Sequence, residues 1–293
     1  MSHTGFSDSP SEDPSTATVH LLPAPLEATV SYGGGTALGP QAILEASYQL
    51  ENYDREFRCE PNLDYGIYTW PALHFSVDGQ SAHQKLEERV KEIYKASKLL
   101  GVLGGEHSLS APVVRGILAH RNSPITIVQI DAHADLRDSY EGSPLSHACV
   151  GRRFLEISGV EQVLQLGIRS LCQEEADLIA TEPRLRTWFS EDIHRGDYIE
   201  EFQERLESRD VYLTIDVDGF DPSVMPSTGT PEPDGLNFRQ VENIIRTSIS
   251  KSQLLAFDCV ELAPMPNFHS PDFMVAKLLY RLMNLHWAKG QYS

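Results

Sequence analysis

Short apolar runs of strand length alternate along the chain with longer stretches whose apolar positions recur at helical spacing. Residues 98–103, 125–130, 162–168, 185–188, 211–215 and 254–260 read as strands. Helical patterns cover 39–47, opened by Gly39 and Pro40, part of 84–100, and 110–120, 199–207, 238–250 and 273–285. This alternation, without an internal repeat, predicts an α/β protein built as a three-layer αβα sandwich around a mostly parallel central sheet. Open sheets of this kind bind ligands at the carboxyl ends of their strands, so the residues just after each apolar run carry most of the functional information.

Composition narrows the class. With 293 residues, 41% of them hydrophobic, the chain has material for one large core, and a single domain over 18–293 is expected. Residues 1–17 are rich in Ser, Thr, Asp and Pro and lack the apolar stretch of a signal peptide, which predicts a disordered tail rather than a targeting segment. The formal net charge of −18 disfavours nucleic acid and favours a cationic small molecule. Cys59, Cys149, Cys172 and Cys259 show no CxxC spacing, so reduced thiols in a cytoplasm are expected. No stretch is long enough to span a membrane.

Three strand ends carry the chemistry. The run 125–130 leads into Asp131, His133 and Asp135, and the run 211–215 leads into Asp216 and Asp218. If the strand period of two continues, each set points to one side. The run 98–103 leads into Gly104, Gly105, Glu106 and His107, which places an imidazole on a glycine turn. Two imidazoles and four carboxylates, with no cysteine among them, suit two hard or borderline divalent ions. Mn²⁺ fits best, with Fe²⁺, Co²⁺ and Ni²⁺ as competitors. Without a cation so many carboxylates at one point would repel, and some would be protonated.

The segments 104–108, 131–135, Ser146-His147, 216–222 and Glu261 together resemble the ureohydrolase family of arginases and agmatinases. The match extends to the loop 228–231, and the segments 30–36 and 39–40 resemble the agmatinase branch. The resemblance implies an arginase-like fold. It implies one ion on His107, Asp131, Asp135 and Asp216, and a second on Asp131, His133, Asp216 and Asp218, with a hydroxide between them that attacks a guanidinium carbon to release urea and an amine. It further implies Asp131 as first proton carrier, His147 as a mobile proton shuttle, Glu261 as the acceptor of two guanidinium hydrogen bonds, and a homo-oligomer, trimer or hexamer. Glu106 stands where the family commonly has Asp, a departure expected to alter local geometry and leave the ligand His107 in place.

The loop 136–141 bears on the far end of the substrate. Arginases resemble one another in placing an Asn two residues past the last metal Asp, and this chain has Arg137 there, which disfavours arginine. Agmatine is the leading substrate, with Asp138 and Glu141 near enough in sequence to offset its ammonium. Arg137 alone suits a guanidino acid such as 4-guanidinobutyrate, and guanidinopropionate is a further candidate. Two other readings are a catalytically silent metal-binding relative and a dinuclear phosphoesterase. The complete ligand set disfavours the first. The order of the motifs, and the lack of clustered basic residues, disfavour the second.

Overall fold

The computed structural model describes residues 5–8, 11–75 and 79–292. Its sheet consists of β1 (Val19–Ala24), β2 (Ile67–Thr69), β3 (Leu99–Gly104), β4 (Ile125–Ile130), β5 (Val160–Ile168), β6 (Leu185–Phe189), β7 (Asp210–Asp216) and β8 (Gln253–Val260). All pairings are parallel, in the order β2-β1-β3-β8-β7-β4-β5-β6. Parallel strands need crossover connections, and the helices that supply them cover both faces. One face packs Leu21, Val128 and Leu213 against helices Gly39–Ser47, Phe238–Lys251 and Ser270–Tyr292. The other packs Val102, Ile127 and Tyr212 against helices Gly79–Ile93, Ser110–Leu118 and Val150–Glu156. The three-layer expectation is met, with a wholly parallel sheet.

The four strands that precede the candidate ligands, β3, β8, β7 and β4, are consecutive neighbours at the centre of the sheet. Chain segments far apart in sequence therefore release their polar residues at one place. Just below that place the face that carries Tyr212 turns polar: Gln129, Gln165, Thr187, Thr214 and Asp258 replace the apolar residues two positions earlier on their strands, and all are buried. They satisfy one another. Thr187 Oγ1 donates to Gln165 Oε1 (2.8 Å), Gln165 Nε2 to Gln129 Oε1 (3.0 Å), and Gln129 Nε2 to Asp131 Oδ2 (2.8 Å). Buried polar groups are tolerable on these terms.

Neither β1 nor β2 is among the expected strands. β1 contains Pro23, which removes a ladder donor, but β2 pairs only with Val19, His20 and Leu21, so Pro23 lies beyond the end of its neighbour. Described residues within 1–17, expected to form a disordered tail, lie against the domain. Phe6 is fully buried in the core, Ser7 N donates to Ser47 Oγ (2.8 Å), and Ser11 N donates to Ile67 O (2.8 Å) beside β2. One buried aromatic and backbone bonds at a sheet edge outweigh the polar composition here; residues 1–4 and 9–10 lie outside the described residues. Among the described residues no helix is long and apolar enough to cross a membrane, and the four cysteines are unpaired.

Candidate metal centre

The expected convergence occurs, though strand alternation does not produce it. β4 ends at Ile130, and Asp135 has a left-handed backbone (φ 52°). After β7, residues Val217–Gly219 form a 3₁₀ turn in which Asp218 N donates to Asp216 Oδ1 (2.9 Å). His107 opens another 3₁₀ turn, His107–Leu109. Tight turns, not extended backbone, aim these side chains. The turn before His107 needs its glycine, since a Cβ on Gly105 would lie 1.9 Å from Leu26 O.

His107 Nδ1 lies 3.1 Å from Asp131 Oδ2, 3.3 Å from Asp135 Oδ2 and 3.1 Å from Asp216 Oδ2. His133 Nδ1 lies 3.0 Å from Asp218 Oδ2 and 3.8 Å from Asp131 Oδ1. Two groups able to hold a metal ion result, His107 with Asp131 and Asp135, and His133 with Asp131 and Asp218, and Asp131 belongs to both. The buried Nδ1 of His107 has no hydrogen-bond partner although three carboxylate oxygens surround it. Its other nitrogen explains why. Thr214 Oγ1 donates its proton to Asp258 Oδ1 (2.6 Å), so it accepts from His107 Nε2–H (2.9 Å), and Nδ1 is the nitrogen left to bind an ion. Tyr212 donates to the other oxygen of Asp258 and holds it in place. An Nδ1 ringed by three carboxylate oxygens fits a divalent cation that displaces its proton.

Electrostatics point the same way. Burial, with Asp135 and Asp218 nearby, raises Asp131 to about 7. Burial, with Asp218 and Asp131 nearby, pushes Asp216 well above the carboxylate range. Burial opposes charge on His133, yet Asp218 holds it at about 11, while Asp218, despite its own burial, is held at about 2 by His133. His107 also overcomes burial, through Asp131, Asp135 and Asp216. Without a metal, then, the site tolerates its acids by taking up protons that a divalent ion would displace.

Beside these groups opens a cleft of about 180 Å³, lined among others by His133, Asp135, Arg137, Tyr140, His147 and Glu261. Glu261 follows β8 in a left-handed conformation (φ 65°), its N–H donating to Gly105 O (2.8 Å) and its Oε1 accepting from His107 N (2.6 Å). Burial raises its carboxyl to about 8. Arg137 stacks on Tyr140, 5.1 Å from the ring centre. Asp138 is not brought in: it is exposed, outside the cleft lining, and held by Arg153 Nη2 at 3.0 Å. The arginine, on helix Val150–Glu156, is fifteen residues away in sequence, so motif spacing does not reveal it. Glu141 is exposed as well.

Other contributors were not anticipated. Arg169 donates to six carbonyls, those of Gly167, Asp218, Gly219, Phe220, Glu232 and Pro233, and so ties the Asp218 turn to the loop 228–235. At the cleft rim Gly33 and Gly229 touch backbone to backbone, and a Cβ on Gly33 would lie 2.9 Å from Gly229 Cα. Ser31 and Thr230, beside them, line the cleft. Thr214 and Asp258, polar residues inside apolar strand runs, were visible in the sequence without an assigned partner.

A family model described as the arginase family matches residues 17–284. The chain belongs to the arginase family. It is 40% identical to the N(1)-aminopropylagmatine ureohydrolase of Synechocystis sp. over 94% of this chain and 90% of that protein. It is 34% identical to the agmatinase of Bacillus anthracis, over 90% of each. The solved structure of the agmatine ureohydrolase of Thermoplasma volcanium superposes with a TM-score of 0.84 at 28% identity, covering 96% of this chain and 94% of that one. The protein is therefore an agmatinase-like ureohydrolase of the arginase family, with His and Asp groups placed to hold metal.

Proposed function

We propose that this ureohydrolase holds two divalent ions, Mn²⁺ by preference, and hydrolyses a guanidino compound with a cationic tail to urea and an amine. One ion would sit on His107, Asp131, Asp135 and Asp216, the other on Asp131, His133, Asp216 and Asp218. The observation that carries this reading is the unpartnered His107 Nδ1 facing three carboxylates at the cleft that Glu261 also lines. When bound, such a pair of ions supplies an activated water near neutral pH. Glu261, anchored through Oε1, binds the guanidinium in a fork and regains its charge against that cation. Asp131, already accepting from Gln129 and from His133 N, takes the first proton. His147, on the cleft wall, exchanges protons with solvent.

For the tail, the sequence favoured agmatine. The higher identity to the Synechocystis enzyme than to the Bacillus anthracis agmatinase moves N(1)-aminopropylagmatine ahead of it. A second reading, a guanidino acid such as 4-guanidinobutyrate, draws on Arg137 in the cleft lining. The enzyme is proposed to work in the cytoplasm as a homo-oligomer. Urea release by Mn²⁺-loaded protein, compared across N(1)-aminopropylagmatine, agmatine, arginine, 4-guanidinobutyrate and guanidinopropionate, tests the assignment. The highest kcat/KM on N(1)-aminopropylagmatine is expected. A higher value on arginine or on either guanidino acid overturns the cationic tail, and no urea from any of them overturns the function.

A further inference from the structure

Glu106 lies beside a proposed ligand, yet its side chain turns away from the metal groups and collects four hydrogen bonds. Oε2 accepts from Ala28 N (2.5 Å) and Thr29 N (2.6 Å); Oε1 accepts from Thr29 Oγ1 (2.9 Å) and Ser108 Oγ (2.5 Å). Each hydroxyl then meets an imidazole. Ser108 Oγ lies 3.1 Å from His83 Nε2, and Thr29 Oγ1 lies 3.3 Å from His147 Nδ1 while also accepting from His147 N (3.0 Å).

A hydroxyl has one proton to give. Thr29 gives its proton to Glu106, so toward His147 it can only accept, and the nitrogen that faces it must carry hydrogen. Ser108 stands in the same relation to His83. Both branches run inward to the one carboxylate: His83 to Ser108 to Glu106, and His147 to Thr29 to Glu106. Among the described residues no hydrogen bond engages His147 Nε2.

We propose that Glu106 and Thr29 are positioning residues that hold His147 as its Nδ1–H tautomer, with Nε2 left as the bare nitrogen that exchanges protons at the cleft. This rests on the reading of His147 as a proton carrier given above. The extra methylene of Glu106 relative to Asp is what brings a carboxylate to the backbone of Ala28 and Thr29 and to both hydroxyls at once.

Replacing Glu106 by Gln would reverse the chain. The two amides fix an oxygen at the Oε2 position, so the new NH₂ takes the place of Oε1 and donates to Thr29, whose proton then turns to His147 Nδ1 and moves the ring hydrogen to Nε2. The full-length protein, labelled with ¹⁵N-histidine and loaded with diamagnetic Zn²⁺, is compared by NMR with Glu106→Gln at a pH where the ring is neutral. His147 is assigned by the signal lost in His147→Ala. Nδ1–H in the wild type and Nε2–H in Glu106→Gln are expected. In the Mn²⁺ enzyme, Glu106→Gln and Thr29→Val should lower kcat about tenfold with KM within about twofold and metal content unchanged, and Thr29→Ser should recover to within about threefold.

An Nε2–H wild type, which would mean that Ser146 Oγ at 3.4 Å donates to Nδ1, overturns the proposal. So does an unchanged tautomer in Glu106→Gln, or a rise in KM with kcat preserved. If Thr29→Val fails to fold, the wild-type tautomer still decides. Absence of urea release by the wild type removes the proposed function, and the tautomer then judges the positioning pair alone.

Discussion

Two clusters of crowded charge in this molecule make a useful contrast. At the carboxyl ends of β3, β8, β7 and β4, Asp131, Asp135, Asp216, Asp218 and Glu261 crowd around two imidazoles, and among the described residues no Lys or Arg side chain forms an ion pair with these carboxylates. Against helix Ser270–Tyr292 the buried Asp54 and Glu242 and the exposed Glu56 gather too, but Arg281 answers all three, with Nη1 at 2.7 Å from Asp54 Oδ2 and Nε at 2.8 Å from Glu242 Oε1. Arg246 adds a second cation, 2.8 Å from Glu56 Oε2. Burial opposes the charge on Arg281, yet its hydrogen bonds to Glu242 and Glu56 hold it. The second cluster closes its charge with the protein's own cations and is structural. The first leaves its charge open, which is the physical mark of a site that imports a cation.

The largest expected effect on this contrast is at Asp131, common to both groups. Asp131→Asn should lower kcat roughly 10⁴-fold and reduce bound metal below two ions per chain, read by elemental analysis beside urea release. Full metal content with retained activity would sink the ligand assignment. Next comes the closed cluster: Arg281→Met, which leaves Asp54 without its cation, should cost about 3–5 kcal/mol in denaturant unfolding. Metal content and kcat/KM of the folded fraction should not move. A loss of metal there would show that the two clusters are not independent. Smaller, and confined to the site, Glu261→Gln should keep both metals and lower turnover about a hundredfold.

The smallest effect separates the clusters by pH. His133, held at about 11 without metal, must give up a proton to an ion at any pH from 6 to 8, and Asp131, at about 7, adds a second below 7, so metal affinity should fall by at least about tenfold per unit as pH drops and more steeply below 7. Glu56, held at about 2 chiefly by its hydrogen bond to Arg246, has a depressed folded pKa. Its contribution is therefore complete above the unfolded value of 4.5 and is lost only as pH falls from there toward 2. Metal titrations at pH 6 and 8, set beside acid unfolding of the metal-free protein, read the two windows. An affinity that is flat between pH 6 and 8 would contradict the open-charge account.

The sequence made the central strands and the proposed ligands legible because both obey local rules: an apolar run of strand length, then acids and imidazoles at its end. The final aim of those side chains was not legible, since the left-handed Asp135 and the 3₁₀ turn at Val217 replace the extended period. Residues that act across the fold were harder still. Thr29 finds Glu106, Thr214 finds Asp258, and Arg169 gathers carbonyls from several segments, and none of these partners is a neighbour in sequence. Asp138 shows the converse, being close in sequence to the site yet placed outside the cleft lining, beside Arg153. β1 was hidden by Pro23, whose cost vanishes only when the short reach of β2 is known.

The contact between Gly33 and Gly229 sets a limit of another kind. Two loops far apart in sequence meet beside the cleft with only main chain between them. Exchanging Ser31, Arg137, Tyr140 or Thr230 changes the chemistry that an entering molecule meets. A side chain at either glycine must instead wedge the two loops apart. The chemistry of the lining and the spacing of the loops beside it are thus written at separate positions, and the first can be redesigned while the second stays as it is.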